Sequence, residues 1–178
     1  MDTNTKPVVY WTLIAFKEWT FYIAASEQGL CYVGPQDKPF SELADWVKFR
    51  LPGSSLERDD DRLEQASVEL KEYLLGERRS FSVPLDLYGT PFQQSVWQAL
   101  CDIPYGHTWS YSDVALHIHK PASVRAVGAA IGANPILITV PCHRVIGKNG
   151  AMTGYRGGLN MKIELLGLEQ KASLVDAK

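Results

Sequence analysis

Apolar and polar residues alternate over the first 33 residues, in stretches rich in aromatic and β-branched side chains: PVVYWTLIAF, WTFYIAAS and GLCYVG. A period of two is typical of strands that bury one face, so we predict two or three antiparallel strands joined by short polar turns. The stretch FSVPLDL, at residues 81–87, is predicted to add a last strand.

Helical spacing of apolar residues appears in two other stretches of this region, PFSELADWVKFRL and RLEQASVELKEYLLGE. Ser41 is the predicted N-cap of the first helix. A polar, acidic stretch, PGSSLERDDD, lies between the two. We therefore predict that residues 1–87 form a small α/β domain, and we interpret it as a scaffold because it contains no clustered chemistry.

From residue 88 onward the pattern changes to short helices broken by glycine and proline. Thr90 is the predicted cap of a helix that starts at Pro91, and SYSD at 110–113 has the form of a capping box. Two short helices around the turn HKP, the second within ASVRAVGAAIGAN, match a helix-turn-helix, although any corner between two helices gives this pattern.

The last predicted helix, GLNMKIELLGLEQ, has Leu159, Ile163 and Leu166 at core spacing. Residues 88–178 are thus predicted to form a mostly helical domain. The fold class predicted for the whole chain is α+β, with strands and helices in the first domain and helices dominating the second.

Composition is that of a soluble globular protein, with 178 residues of which 46% are apolar and 21% are charged. No run reaches the roughly 20 apolar residues that span a bilayer, and the N-terminus lacks the features of a signal peptide. We expect no membrane association and a cytoplasmic protein, or a nuclear one if the cell has a nucleus.

Charge is unevenly distributed behind the net value of −2. Residues 1–85 hold ten Lys/Arg and fourteen Asp/Glu, whereas residues 86–178 hold eight and six. Within the second half, residues 120–162 include six basic side chains and no acidic one. Such a segment favours a polyanion such as DNA or RNA as partner, because phosphate neutralisation supplies affinity that does not depend on sequence.

The three cysteines do not form any close pair, so neither a disulfide framework nor a paired-cysteine zinc site is expected. Cys31 and Cys101 lie in apolar runs and are interpreted as buried structural thiols. Cys142 differs from both because it is followed directly by His143, in ITVPCHRVIGKNG.

A thiol is mostly protonated at neutral pH, so a reactive Cys142 needs an imidazole or cationic neighbours that favour the thiolate. Arg144 and the acid-free segment supply positive charge. Pro141 predicts a buried extended segment that ends in a turn at Cys142. Side chains of neighbours in extended chain point to opposite sides, so His143 would act through a bridging water.

The imidazole needs an acid to orient it, and Glu164 and Glu169 on the last helix are the two candidates. The local chemistry leaves two interpretations of Cys142 open. It is either a nucleophile or a buried inert thiol.

The motifs PCHRVIGKNG, TGYRGGL and KIELLGLE, preceded by VWQALCDIPYGHTWSYSDVA and SVRAVGAAIGANP, resemble the O6-alkylguanine-DNA alkyltransferase family, also called methylated-DNA-protein-cysteine methyltransferases. The resemblance covers residues 88–170, whereas the first half agrees only in length and in the order of strands and helices. It implies a ribonuclease-H-like first domain and a winged-helix-like helix-turn-helix domain after it. No cofactor and no metal ion is implied.

The resemblance implies that Cys142 takes the alkyl group from O6 of guanine, with O4 of thymine as a second candidate position, and keeps it as a thioether. Each molecule would then act once. His143 would be the water-linked base, Glu169 rather than Glu164 its acid, and Asn134 the brace of the turn. The residues placed in catalysis are Cys142, His143, Glu169, Tyr111, Asn134 and Lys162.

The implied partner is double-stranded DNA containing O6-alkylguanine, entered from the minor groove with the damaged base rotated out. Arg125 would fill the vacated space, and Tyr111 with Lys162 would protonate the departing guanine. The residues expected at DNA are Tyr111, Ser123, Arg125, Ala126, Gly128 and Ala129. Those expected around the substrate pocket are Ile131, Pro141, Val145, Tyr155 and Arg156.

Arg156 departs from the small residue common in the family, and the expectation is a phosphate contact or a narrower pocket. We expect a monomer that could bind DNA cooperatively. Two other classes are alternatives: an alkyltransferase-like protein that binds lesions without transfer, whose members replace the cysteine retained here, and a cysteine hydrolase, which would turn over repeatedly.

Overall fold

A computed structural model describes residues 5–176. The first domain contains a four-stranded sheet in the order β3-β2-β1-β4 and two helices. Its elements are β1 Val8–Phe16, β2 Trp19–Ala25, β3 Leu30–Val33, α1 Phe40–Arg50, β4 Ser55–Arg58 and α2 Glu64–Leu74. The predicted antiparallel strands β1, β2 and β3 are confirmed.

Both faces of the sheet are covered, because alternate side chains of β1 and β2 enter different hydrophobic clusters. In β3, the adjacent residues Cys31 and Tyr32 both belong to the cluster that contains Leu43 and Val47 of α1. Leu30 and its neighbours on the other face pack against α2 and the second domain.

Two local predictions for this domain, the N-cap of the first helix and the last strand, are wrong, and one strand was not predicted. Helix α1 has Pro39 rather than Ser41 at its N-cap position. The acidic stretch contains β4, which pairs in parallel with β1. Residues 81–87 make only an isolated bridge, from Leu85 to Leu30, because the amides of Ser82 and Val83 donate to the buried carboxylate of Glu69 instead of to a strand.

The second domain is mostly helical, as predicted. Its elements are α3 Pro91–Leu100, β5 Trp109–Ser110, α4 Tyr111–His117, α5 Val124–Gly132, β6 Val145–Ile146 and α6 Leu159–Asp176. The capping predictions are confirmed: Thr90 forms a capping box with Gln93 at the start of α3, and Ser110 does so with Asp113 at the start of α4. Helices α4 and α5 form the helix-turn-helix.

Helix α6 buries a different face from the one predicted. Leu166 is buried, but Leu159 and Ile163 are 46% and 51% exposed. The buried face instead includes Lys162 and Glu169, seven residues apart. A pattern of apolar residues does not reveal this face, because two of its buried positions are charged. Both charged side chains are buried with polar partners, which are described below.

The two domains share one hydrophobic core that runs from the sheet through α2 into α3, α5 and the segment before Cys142. Backbone hydrogen bonds also join them, since the amide of Val33 in β3 donates to the carbonyl of Pro135 at 3.0 Å and the amide of Leu137 donates back to Val33 at 3.1 Å. The segment that carries the cysteine is therefore anchored on the sheet of the first domain.

Candidate active site

Cys142 begins a single 3-10 turn, Cys142–Arg144, in the interior of the molecule. The chain before it is buried as predicted but is not extended: the amide of Thr139 donates to the carbonyl of Leu137 at 2.7 Å across Ile138, whose φ is +67°. A β-branched residue rarely takes this conformation. We expected a water between Cys142 and His143 because neighbouring side chains in extended chain point to opposite sides. That argument does not apply here, because the two residues lie in a 3-10 turn.

Asn134 ties the cysteine to this turn. Its Nδ2 lies 3.1 Å from Sγ of Cys142 and 3.0 Å from the carbonyl oxygen of Val140. Its Oδ1 accepts from the amide of Ile136 at 2.9 Å. The structure thus places Asn134, which is fully buried, in the position expected of a brace.

His143 and Glu169 form a buried pair, with Nε2 2.7 Å from Oε2. Arg144 donates from Nε to the other carboxylate oxygen at 2.6 Å and from Nη1 to the carbonyl of Ile103 at 2.7 Å. Glu164, the alternative acid, is exposed. Of the two candidates, Glu169 is the one that the fold brings to the imidazole.

Opposing effects set the pKa values of this pair. Burial lowers the pKa of His143, and the carboxylate of Glu169 only partly offsets it. Burial raises the pKa of Glu169, but hydrogen bonds and charges from His143 and Arg144 outweigh it, so the pKa lies below its ordinary value. The carboxylate is therefore charged at neutral pH, and the imidazole is neutral and able to accept a proton.

The pKa of Cys142 is raised to about 11 by burial, against the hydrogen bond from Asn134 and the positive charges of Lys162 and Arg156. The thiol is therefore protonated at rest, and its reaction requires a base. Nδ1 of His143 is buried and has no hydrogen-bond partner among residues 5–176, so it is free to accept a proton.

Tyr73 is the residue at this site that the sequence did not reveal. It lies on α2 in the first domain, is fully buried, and places Oη 3.3 Å from Nε2 of His143. On the sequence it occupies one more apolar position of an amphipathic helix, and no local signal distinguishes it from a core residue. The first domain is thus more than a scaffold, because it completes the surroundings of the imidazole.

Lys162 and Tyr111 meet at Thr153. The buried ammonium of Lys162 donates to the carbonyl of Val145 at 2.6 Å and to that of Thr153 at 3.2 Å. Oη of Tyr111 lies 2.7 Å from Oγ1 of Thr153. Burial lowers the pKa of Lys162, whereas the nearby Cys142 raises it.

Tyr155 and Arg156 lie on the loop after β6. The hydroxyl of Tyr155 is buried, and burial, followed by the charge of Cys142, raises its pKa well above 10. Arg156 points toward the first domain: it donates to the carbonyl of Asn134 at 3.1 Å and stands 5.3 Å from the ring centre of Tyr32. This half-buried position braces the loop and does not fit the expected phosphate contact.

Helix α5 presents small residues and one arginine at the surface. Arg125, Ala126 and Ala129 are exposed, and Ser123 and Gly128 are half-buried. A Cβ on Gly128 would stand 3.7 Å from the ring of Tyr111, an ordinary contact distance, so the packing of α5 against that ring does not itself require a glycine. Ile131 and Pro141, expected near the pocket, are both buried.

The other cysteines lie away from this group. Cys31 is fully buried, as predicted, and burial raises its pKa to about 12. Cys101 is exposed, so its interpretation as a buried thiol is wrong: it follows the last residue of α3, where the helix ends at the surface. In residues 5–176, no three His, Cys, Asp or Glu side chains cluster in a way that could hold a metal ion. No helix within the same residues could cross a membrane.

Fold and site together define a two-domain protein that holds a buried cysteine, histidine and glutamate beside an exposed helix-turn-helix. Residues 9–87 match the family model described as 6-O-methylguanine DNA methyltransferase, ribonuclease-like domain, and residues 91–171 match the DNA binding domain of the same description. The chain therefore belongs to the 6-O-methylguanine DNA methyltransferase family.

Two curated relatives come from Bacillus subtilis (strain 168). Its inducible methylated-DNA–protein-cysteine methyltransferase is 62% identical over 173 residues, covering 97% of this chain and 96% of the relative. The constitutive protein of the same name is 48% identical over 133 residues, covering 74% and 81%.

Solved structures of Mycobacterium tuberculosis proteins share the fold. The O6-methylguanine methyltransferase is similar with a TM-score of 0.78 and 40% identity, covering 92% of this chain and 94% of that one. OGT in complex with DNA, from the same organism, gives a TM-score of 0.77 and 39% identity over the same shares. The predicted α+β fold with a sheet-containing first domain and a helical second domain is confirmed.

Proposed function

We propose that the protein repairs O6-alkylguanine in double-stranded DNA by moving the alkyl group irreversibly to Cys142. The observation that carries the proposal is the buried arrangement of Cys142, Asn134, His143 and Glu169 in a chain of this family. Direct transfer needs an acceptor sulfur, a proton acceptor and a held geometry, and these residues supply all three.

In the proposed reaction, Sγ of Cys142 attacks the alkyl carbon, and the bond from that carbon to O6 of guanine breaks. The thiol proton passes to Nδ1 of His143 through the bridging water that the family resemblance implies, and Nδ1 has no hydrogen-bond partner among residues 5–176. Glu169 stabilises the resulting imidazolium. The product is a thioether that water does not cleave, so each molecule acts once and needs no cofactor.

Departing guanine gains negative charge, which a proton donor offsets. Tyr111 is proposed to donate this proton, with Lys162 assisting, and their shared contact with Thr153 supports that assignment. The carbonyls of Cys142 and Val145 are proposed to accept from the guanine amino group. Lys162 already donates to Val145, which leaves the second lone pair of that carbonyl for the base.

The proposed DNA surface is helix α5, approaching the minor groove. The exposed Ala126 and Ala129 and the half-buried Gly128 support close approach of the helix, and the exposed Arg125 could enter the stack after the base has rotated out. Tyr111 and Ser123 complete this surface. Pocket walls are assigned to Ile131, Pro141, Val145, Tyr155 and Arg156.

We place the domain boundary between residues 87 and 88, in the gap between the two family matches. We further propose that the protein works as a monomer, that several copies can bind one DNA cooperatively, and that the protein resides in the cytoplasm.

The test is to mix the protein with a duplex that contains O6-methylguanine and to weigh the intact protein. The expected result is the gain of one methyl group, mapped to Cys142, with a stoichiometry that never exceeds one. Cys142→Ser should bind the duplex and gain nothing. Binding by the unmodified chain without any gain in mass would favour a lesion-binding protein, and repeated release of product would favour a hydrolase.

A further inference from the structure

Tyr73 brings a hydroxyl from the first domain to the imidazole of the second. Its Oη and Nε2 of His143 lie 3.3 Å apart, and both side chains are fully buried. The rings of Phe81 and Tyr105 pack beside Tyr73, with centroids 5.6 and 6.2 Å away. Its ring is therefore held by packing, and its hydroxyl is held at the imidazole.

We infer that Tyr73 is a positioning residue that holds His143 against Glu169 with Nε2 protonated, and thereby leaves Nδ1 to receive the proton of Cys142. The inference rests on the proposed function, because it assigns Tyr73 a part in the same proton transfer.

The hydrogen bonds around Nε2 decide which atom donates. Oε2 of Glu169 stands 2.7 Å from Nε2, and a carboxylate can only accept, so Nε2 carries the proton. Tyr73 must then present a lone pair to the same N–H. The hydroxyl proton of Tyr73 is then available for a hydrogen bond to Glu169. Burial, and second to it the charge of Glu169, raises the pKa of Tyr73 well above 10. The hydroxyl therefore stays neutral throughout the reaction.

This arrangement favours the imidazolium more than the neutral imidazole. The N–H at Nε2 becomes a stronger donor when His143 is charged, so acceptors at Nε2 raise the basicity of Nδ1. The other charged groups that act on His143 are Glu169 and Lys162 from α6 and Arg144 from the same turn. Lys162 and Arg144 are positive and disfavour the imidazolium. A neutral hydrogen-bond acceptor at Nε2, the hydroxyl of Tyr73, partly offsets their effect.

A matched control exists in Tyr105, which packs against Tyr73. Its hydroxyl is buried and has no hydrogen-bond partner within residues 5–176. Removal of either hydroxyl by Phe keeps the ring and its packing. The two variants therefore differ in whether the lost oxygen lies at the imidazole.

The experiment compares the full-length wild type, Tyr73→Phe and Tyr105→Phe in single-turnover transfer from an O6-methylguanine duplex across a range of pH. Tyr73→Phe should react about 3- to 10-fold more slowly, as expected for one buried hydrogen bond. Its rate should reach half-maximum at lower pH, because His143 accepts the thiol proton only when neutral and loses its own proton at lower pH in this variant. Tyr105→Phe should match the wild type.

A second measurement needs no substrate. In protein labelled with 15N-histidine, the titration of His143 should move to lower pH in Tyr73→Phe and stay in place in Tyr105→Phe. If the wild type gains no methyl group, the proposed function fails while this titration still tests Tyr73. An unchanged titration and unchanged rate midpoint in Tyr73→Phe would overturn the inference, as would equal effects of both variants.

Discussion

The amide nitrogen of Asn134 lies 3.1 Å from the sulfur of Cys142, and the same amide group holds the carbonyl of Val140 and the amide of Ile136. One side chain thus fixes both the reacting atom and the turn that carries it. Because the segment that leads into this turn includes Ile138 at φ +67°, its geometry depends on bonds of this kind.

Asn134→Ala should destabilise the protein by about 2 kcal/mol, because a buried amide and a buried carbonyl each lose a partner. Transfer should also slow, since the hydrogen bond from Asn134 acts to lower the pKa of Cys142. Urea unfolding measures the first effect and single-turnover kinetics the second. Asn149→Ala, in an exposed loop, is the control and should change neither.

Glu169→Gln should affect both stability and reaction, because it removes the negative charge shared by His143 and Arg144. Leaving the buried Arg144 unbalanced costs about 3 kcal/mol, and an imidazole without its carboxylate is a weaker base. Glu164→Gln changes an exposed carboxyl on the same helix and should be neutral. Equal behaviour of the two variants would contradict the assignment of Glu169.

Sequence patterns predicted the strands that bury apolar faces and failed where other forces act. Strand β4 is polar, with Glu57 and Arg58 exposed, and it is an edge strand held by backbone pairing with β1. Nothing in its side chains announces that pairing. Residues 81–87 have strand-like spacing, but the amides of Ser82 and Val83 donate hydrogen bonds to the carboxylate of Glu69 instead of to a neighbouring strand.

The site shows a similar division. Adjacent Cys142 and His143 indicated chemistry but left nucleophile and inert thiol open, and the choice between Glu164 and Glu169 came from a resemblance rather than from periodicity. The contact of Tyr73 with His143 spans 70 positions of chain. A tyrosine at a core position of an ordinary helix gives no sign of such a contact before the two domains are packed together.

Arg125→Ala should slow repair in duplex DNA at least about tenfold, because unstacking a base costs a few kcal/mol that an inserted side chain offsets. Transfer from free O6-benzylguanine needs no unstacking and should be nearly unchanged. Lys148→Ala, another exposed cation of the acid-free segment, is the control for charge alone. Equal losses of rate on the duplex and on free O6-benzylguanine would rule out a base-flipping role for Arg125.

Acid should destabilise the protein in two stages. Because the folded pKa of His143 lies below 6.5, the unfolded chain binds its proton first, and stability decreases as the pH falls through that value. The folded pKa of Glu169 lies below 4.5, so its contribution is present above that pH and is lost as the pH falls further. Urea unfolding between about pH 8 and pH 3 measures both stages. A flat profile above pH 5 would exclude the first.

Alkylation of Cys142 should lower the stability of the folded protein. Cys142 is only 2% exposed, and its sulfur accepts a hydrogen bond from Asn134. An added alkyl group must therefore displace packed neighbours and weaken that hydrogen bond. Inserting a methyl-sized group into a packed interior costs about 1–3 kcal/mol. Thermal unfolding of the protein before and after reaction with O6-methylguanine duplex measures the change, after removal of the DNA.

Larger groups such as benzyl should lower the melting temperature further, because the loop with Tyr155 and the half-buried Arg156 has to move to admit them. A melting temperature that rises on alkylation would show that the pocket is shaped for the product rather than for the free thiol.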